Sequence, residues 1–238
     1  MKRITVLLAE DHRMVREGFR SLLEHERDIE VVGEAENGRQ AVQLTRKLRP
    51  AIVVMDIAMP LLNGLEATRQ IRKDFPDTKV IILSAHSDDA YVEKVAALGA
   101  VGFLLKQTSS DVLAKAIREV QQGKTFFSPA ISALARDRSK KRLEREGEFL
   151  KKSNRLSPRE MEVLQLIAEG KTNKQVATEL CVTFKTVDKH RQNLMSKLDI
   201  HDTAGLTRYA IAEGIIEGDV RVIIAQADGK KTGRHPGR

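Results

Sequence analysis

The sequence predicts two modules: an α/β domain built on a doubly wound, five-stranded parallel sheet, followed by a small all-α domain. Three observations carry this. Over residues 1–123, short apolar runs alternate with segments of helical periodicity. From Leu156 onward the periodicity is helical alone. Between them, residues 128–155 hold nine Lys/Arg, four acids and few apolar side chains, the composition of an exposed helix or a tether.

The strands are expected at Ile4–Ala9, Ile29–Val32, Ala51–Met55, Lys79–Leu83 and Val101–Leu105. Their near-continuous apolar character suits a parallel sheet covered on both faces. Helical faces follow from Val15, Phe19, Leu22 and Leu23, then from Ala41, Leu44 and Leu48, from Val92, Val95 and Ala96, and from Val112 to Val120. Breakers punctuate the series at Gly38, Pro50, Pro60, Gly64, Pro76, Gly99 and Gly123.

In such a sheet ligands meet the crevice beyond the carboxyl ends of the strands. Those ends carry Glu10 and Asp11, Asp56, Ser84 and Lys106. Three carboxylates sharing one edge repel each other, and a hard divalent cation such as Mg²⁺ relieves that repulsion. One carboxylate can then attack a phosphoryl group, with an ammonium and a hydroxyl ready for the transferring oxygens. Each residue alone has a plainer reading, as a cap or a solvated loop residue. Their placement at one edge favours the site. His86, Asp88 and Asp89 read as the opening of the next helix.

Residues 1–123 resemble the receiver domain of two-component response regulators, which has a flavodoxin-like fold. The matching residues are Glu10-Asp11, Asp56 with Met59-Pro60 and Gly64, Ser84-Ala85, and Phe103-Leu104-Leu105-Lys106. The resemblance implies that Asp56 is the phosphoacceptor for a sensor histidine kinase. It implies Mg²⁺ held by Glu10, Asp11, Asp56 and the carbonyl of Ala58, and phosphoryl contacts from Ser84 and Lys106. Ser84 and Phe103 take the places of the switch pair, although a core phenylalanine would read the same. Gln107 departs from the proline common after the lysine.

In the second half, Ser157-Pro158-Arg159-Glu160 is a capping box with proline at the first helical position. Val163, Leu164 and Ile167 give that helix its apolar face, and Gly170 ends it. Thr172 caps a second helix through Leu180, and Thr183 a third from Phe184 to about Leu198. A fourth follows Asp202-Thr203 and stops near Gly214. Cys181 is expected as a small buried filler in the turn. Two helices across a tight turn, the second dotted with cations and amides, form a helix-turn-helix arrangement.

Residues 153–216 resemble the LuxR-type DNA-binding domain of the NarL/FixJ class. The resemblance runs through Leu156–Glu160, Val163-Leu164, Ile167–Gly170, Asn173–Ala177, Thr186-Val187, His190-Arg191 and Lys197-Leu198. By helical facing, Lys185, Asp188, Lys189 and Gln192 are the base-reading candidates. Asn173, Lys174, Thr186, His190 and Arg191 are placed for phosphates. Asp188 stands where relatives often carry lysine and could accept from a cytosine amino group. The helix over 203–213 is expected as a dimer surface.

Charge fits this division. The net charge is +8, with +1 over residues 1–126 and +7 over residues 127–238, so the second half is the one suited to a polyanion. The single cysteine excludes a disulfide framework and fits a reducing cytoplasm, and no apolar stretch reaches the ~18 residues of a membrane span. The expected layout is a receiver over 1–123, a charged linker over 124–152, the output domain over 153–216 and a disordered basic tail over 217–238. The expected function is a DNA-binding transcriptional regulator that dimerises when phosphorylated, with only self-phosphorylation and slow dephosphorylation as chemistry. A constitutive regulator with an inert receiver is the alternative. A small-molecule phosphatase fits worse, because Ala58 stands where a general-acid aspartate would be needed.

Overall fold

A computed structural model describes residues 3–84, 95, 98–107, 109–127 and 156–216. The first module runs β1 (Ile4–Ala9), α1 (Arg13–Glu24), β2 (Ile29–Ala35), α2 (Gly38–Leu48), β3 (Ile52–Asp56), α3 (Gly64–Asp74), β4 (Lys79–Ser84), β5 (Gly102–Leu105), α4 (Ser110–Gln121) and β6 (Phe126–Phe127). The strands form one sheet in the order β2-β1-β3-β4-β5-β6, with every pair parallel. Strand order reverses between β1 and β3, which makes their carboxyl ends the switch-point crevice.

Alternation along the strands explains why both faces are covered. Leu7, Val53 and Met55 point to a core with Ala41, Ala67 and Ile71 of α2 and α3. Val6, Leu8, Ile52 and Val54 point to the opposite core, with Phe19 and Leu23 of α1 and Leu113 and Ile117 of α4. Each strand therefore needs apolar residues at successive positions, as the sequence has them.

Several details differ from the sequence-based expectation. The five expected strands are present, and a sixth, Phe126–Phe127, extends the sheet beyond β5. Two residues carry no alternation to read. β2 runs on to Ala35 because Glu34, at that sheet edge, pairs with Arg16 and Arg20 rather than with apolar neighbours. Leu22 is exposed, whereas Leu23 takes the inward position on α1. Gly38 and Gly64 begin helices instead of breaking them, behind the side-chain caps Asn37 and Asn63. A Cβ at Gly64 would stand 1.8 Å from the carbonyl oxygen of Asp56, so the chain turns back on that strand end at a separation only glycine permits.

The second module packs α5 (Pro158–Ala168), α6 (Asn173–Glu179), α7 (Phe184–Leu198) and α8 (Thr203–Ala212) around Val163, Leu164, Leu166, Val176, Val187, Leu194 and Leu206. Each start is capped as the sequence predicts: reciprocal capping boxes at Ser157/Glu160 and Thr172/Gln175, and single caps at Thr183 and Asp202. Cys181 departs from expectation. It is exposed, in a left-handed turn at φ 51°, so it does not fill the core. His86, Asp88, Asp89, the helical-face residues Val92 and Ala96, most of the linker and the whole of the tail lie outside the described residues.

Candidate functional site

β1 ends in Glu10 and Asp11, and β3 ends in Asp56, because an apolar strand that reaches the sheet edge can stop in acids that face the crevice. Glu10 and Asp56 are each only 2% exposed. Lys106, just after β5, reaches across to both. Its Nζ lies 2.8 Å from Glu10 Oε2 and 3.0 Å from Asp56 Oδ2, and it donates to Glu10 Oε1 at 3.1 Å. The backbone also fixes it, since the Lys106 amide donates to the Ser84 carbonyl at 2.8 Å. β4 and β5 thereby bring Ser84 to the same edge as the acids.

The electrostatics follow from this crowding. Burial, with the charge of Glu10 added, pushes the Asp56 carboxyl up to about 6, although Lys106 opposes the rise. Burial pulls the Lys106 ammonium down, but the Asp56 and Glu10 carboxylates outweigh it, and its pKa is raised. Asp56 Oδ1 accepts from the Ile57 amide at 2.8 Å. Among the described residues, Glu10 Oε2, Asp11 Oδ1 and Asp56 Oδ2 are buried oxygens with no aligned hydrogen bond. Their charge is met by neighbouring cationic or imidazole groups, Lys106 at Glu10 Oε2 and Asp56 Oδ2 and His12 Nδ1 at Asp11 Oδ1, 2.9 Å away. Carboxylate oxygens gathered at one edge are the donor type that a hard cation takes.

Two neighbours escaped the sequence reading. His12 lies with Glu10 and Asp11, and its ring and backbone both meet Glu10. The Asp11 charge, against a smaller opposing effect of burial, raises its imidazole above the ordinary value. Arg16, buried on α1, donates to the Glu10 carbonyl at 2.7 Å and ties it to Glu34 and Glu36. The adjacency of His12 to the acid pair was visible, but the place of Arg16, one turn into a helix, was not. Phe103 is fully buried and packs in the core shared with α2 and α3, alongside Phe127. Ala58 is half-buried in the loop beyond Asp56.

On the second module, Lys174, Lys185, Lys189 and Gln192 are exposed, and Thr186, Asp188 and His190 are partly so. The Gln192 amide donates to Asp188 Oδ2 at 2.9 Å, one turn apart on the outer face of α7. Arg191 donates to Asn173 Oδ1 at 3.0 Å and to Thr203 Oγ1 at 2.8 Å. It thus joins the starts of α6 and α8 to α7, and Asn173 serves as its acceptor. Phe184 exposes its ring at the first residue of α7, a feature the sequence reading used only to mark the helix start. Lys197, also on α7, is paired with the buried Glu160 at 2.7 Å.

A parallel sheet with an acid crevice at its switch point, joined to a capped helix-turn-helix unit, defines a two-component response regulator with a DNA-binding output domain. The family comparisons agree. The response regulator receiver domain matches residues 6–118, bacterial regulatory proteins of the luxR family match residues 154–210, and the chain belongs to the LuxR family of response regulators. It is similar to the transcriptional regulatory protein LiaR of Bacillus subtilis (strain 168), 41% identical over 87% of this chain and 96% of LiaR. The response regulator protein VraR of Staphylococcus aureus is 38% identical over 90% of this chain and 99% of VraR. Among solved structures, the Salmonella typhimurium RcsB response regulator, described for its conformational dynamism for DNA interaction, matches with a TM-score of 0.57. Its identity is 29%, over 90% of this chain and 99% of that one. The receiver implies a sensor kinase as partner, and the output domain implies DNA. The family is one of transcriptional regulators, not of metabolic enzymes. No helix among the described residues is long and apolar enough to cross a membrane.

Proposed function

We propose that a sensor histidine kinase phosphorylates Asp56 and that this phosphorylation switches the chain's binding to DNA. The observation that carries the proposal is the buried Asp56 carboxylate, held 3.0 Å from the Lys106 ammonium at the edge where Glu10 and Asp11 also end β1. With a pKa of about 6, Asp56 is ionised at neutral pH and free to act as a nucleophile. Its carboxylate oxygen attacks phosphorus, the bond to the kinase imidazole breaks, and an acyl phosphate results.

Glu10, Asp11, Asp56 and the carbonyl of Ala58 would hold Mg²⁺, which when bound offsets the negative charge of the acids and the phosphoryl oxygens. Lys106 keeps its ammonium at the same edge, where it stabilises charge on the transferred group. Ser84 supplies a hydroxyl to a phosphoryl oxygen. Ser84 and Phe103 act as the switch pair, the Phe103 ring turning inward as Ser84 moves toward the phosphate. The phosphorylated chain forms a homodimer through helix α8 and reads two half-sites. Each α7 would enter a major groove, Lys185, Asp188, Lys189 and Gln192 meeting base edges. Lys174, Thr186 and His190 meet phosphates, while Asn173 and Arg191 brace the helix and contact backbone from its flank.

The test is incubation with acetyl phosphate and Mg²⁺ followed by intact mass. A gain of one phosphoryl group in the native chain, absent in Asp56→Asn, is expected. No gain under conditions that label another receiver would leave a constitutive regulator.

A further inference from the structure

The two modules meet at the loop that follows Asp56. Gln165, 1% exposed in the middle of α5, sits among Val163, Leu164, Leu166 and Ile167. A glutamine there is costly unless its amide is satisfied. Its Nε2 donates to the Met59 carbonyl at 2.9 Å and to Glu169 Oε1 at 2.8 Å, and its Oε1 accepts from the Asn63 amide at 2.8 Å. Glu169 Oε1 also accepts from the Leu61 amide at 3.1 Å, and Asn63 Nδ2 donates to the Ile215 carbonyl at 3.5 Å.

The loop so held is under local strain. Leu61 adopts φ 68°, the left-handed region that a leucine rarely occupies, and its side chain packs against the core of the second module. Strain of this kind persists where surrounding contacts over-determine it. The loop is also rigidly joined to the phosphorylation edge. The Gly64 amide donates to the Ile57 carbonyl at 2.8 Å, and Gly64 lies against the Asp56 carbonyl. Ala58 stands between Asp56 and Met59.

We infer that Gln165 is a positioning residue for the phosphorylation site: an output-domain side chain that holds the Met59–Asn63 loop and thereby sets the Ala58 carbonyl and the Asp56 turn. This rests on the reading of Asp56 and its neighbours as the Mg²⁺ and phosphoryl site. The contact leaves Lys185, Lys189 and Gln192 exposed, so its effect does not come from covering the DNA-reading face. By linkage, if the grip on α5 favours Mg²⁺ binding by some factor, bound Mg²⁺ strengthens the grip by the same factor.

The experiment compares the full-length native chain with Gln165→Leu and Arg39→Ala. Arg39 donates to the Glu179 carbonyl at 2.7 Å, a contact between the modules in which Gln165 takes no part. Two readouts need no phosphodonor: amide hydrogen exchange over residues 57–64, and the Mg²⁺ half-saturation of the thermal melting shift. Gln165→Leu should speed exchange at Leu61 and Asn63 by about tenfold, the scale of a lost buried hydrogen bond. It should raise the Mg²⁺ half-saturation by about tenfold, as loss of a group that orients a metal ligand does. Arg39→Ala should leave both at native values. If Gln165→Leu does not fold, Gln165→Met, unbranched and of similar length, takes its place. Native exchange and native half-saturation in the Gln165 variant would overturn the inference, as would an equal shift in Arg39→Ala. A native chain that takes up no phosphate would defeat the reading of Asp56, while the exchange comparison would still decide on the clamp.

Discussion

Asp56→Asn should stabilise the metal-free protein, and the gain should depend on pH in a way the structure fixes. Folding moves the Asp56 carboxyl from its ordinary 3.8 up to about 6, through burial first and the Glu10 charge second. Below 3.8 the carboxyl is protonated in both folded and unfolded chains and contributes nothing. Between the two values the folded chain binds more protons, so stability falls as pH rises. Above about 6 the whole penalty is present. At about 1.4 kcal/mol for each pH unit between the two values, that penalty is about 3 kcal/mol, and solvent screening takes little from it because the side chain is buried. Asparagine keeps the oxygen that accepts from the Ile57 amide and carries no charge. Urea unfolding in EDTA should therefore find Asp56→Asn more stable by about 3 kcal/mol at pH 7.5 and by about 1 kcal/mol at pH 4.5. Added Mg²⁺ should close or reverse the gap at pH 7.5, since the native chain then gains binding energy that the variant lacks. Equal stability at pH 7.5, or a gap unchanged between the two pH values, would refute this account of the acid cluster.

Other perturbations follow from the same geometry. Lys106→Met removes the ammonium from two buried carboxylates; it should cost about 3 kcal/mol in a urea melt and slow labelling by acetyl phosphate at least tenfold. Gly64→Ala drives a methyl group into the Asp56 carbonyl, so a loss of about 3 kcal/mol or more, with no phosphorylation by intact mass, is expected. Glu160→Ala removes a capping box and the Lys197 pair and should destabilise the output domain by about 1–2 kcal/mol at pH 7. Burial works to raise the Glu160 carboxyl, but Lys197 and the Ser157 hydrogen bonds outweigh it and hold the pKa below 4.5. Its contribution is thus complete above that value and is lost as pH falls through the folded-state pKa, which melts of both chains across pH 3–6 would register. Lys189→Ala should weaken DNA binding and lower the salt slope by about 1 if the ammonium meets a phosphate, or change base preference without changing the slope if it reads a base.

The sheet and its acid edge were legible because β1, β3, β4 and β5 are apolar runs that stop at a charged or hydroxyl residue. Glu10, Asp11, Asp56, Ser84 and Lys106 therefore fall together once the topology is fixed. Capping chemistry made the four output helices equally clear: Ser157, Thr172, Thr183 and Asp202 each accept from a backbone amide at the helix start they mark. What failed was where local pattern and long-range contact diverge. Phe126–Phe127 is too short to show a period, and Leu22 shares a helical spacing with Leu23 while only one of them reaches the core. Gly64 reads as a breaker until the Asp56 carbonyl beside it is seen. Gln165 had a visible signal, an amide inside an otherwise apolar stretch, but its partners Met59 and Asn63 lie more than a hundred residues earlier.

The central claim is that phosphate on Asp56 governs DNA binding through a receiver that is otherwise intact. The most direct measurement is the affinity of native and Asp56→Asn chains for genomic fragments selected by the phosphorylated protein, with and without acetyl phosphate and Mg²⁺ at one fixed salt concentration. The native chain should bind at least tenfold more tightly with the phosphodonor, and the variant should not respond. A native affinity unchanged by phosphodonor, or a variant that responds as the native chain does, would contradict the account.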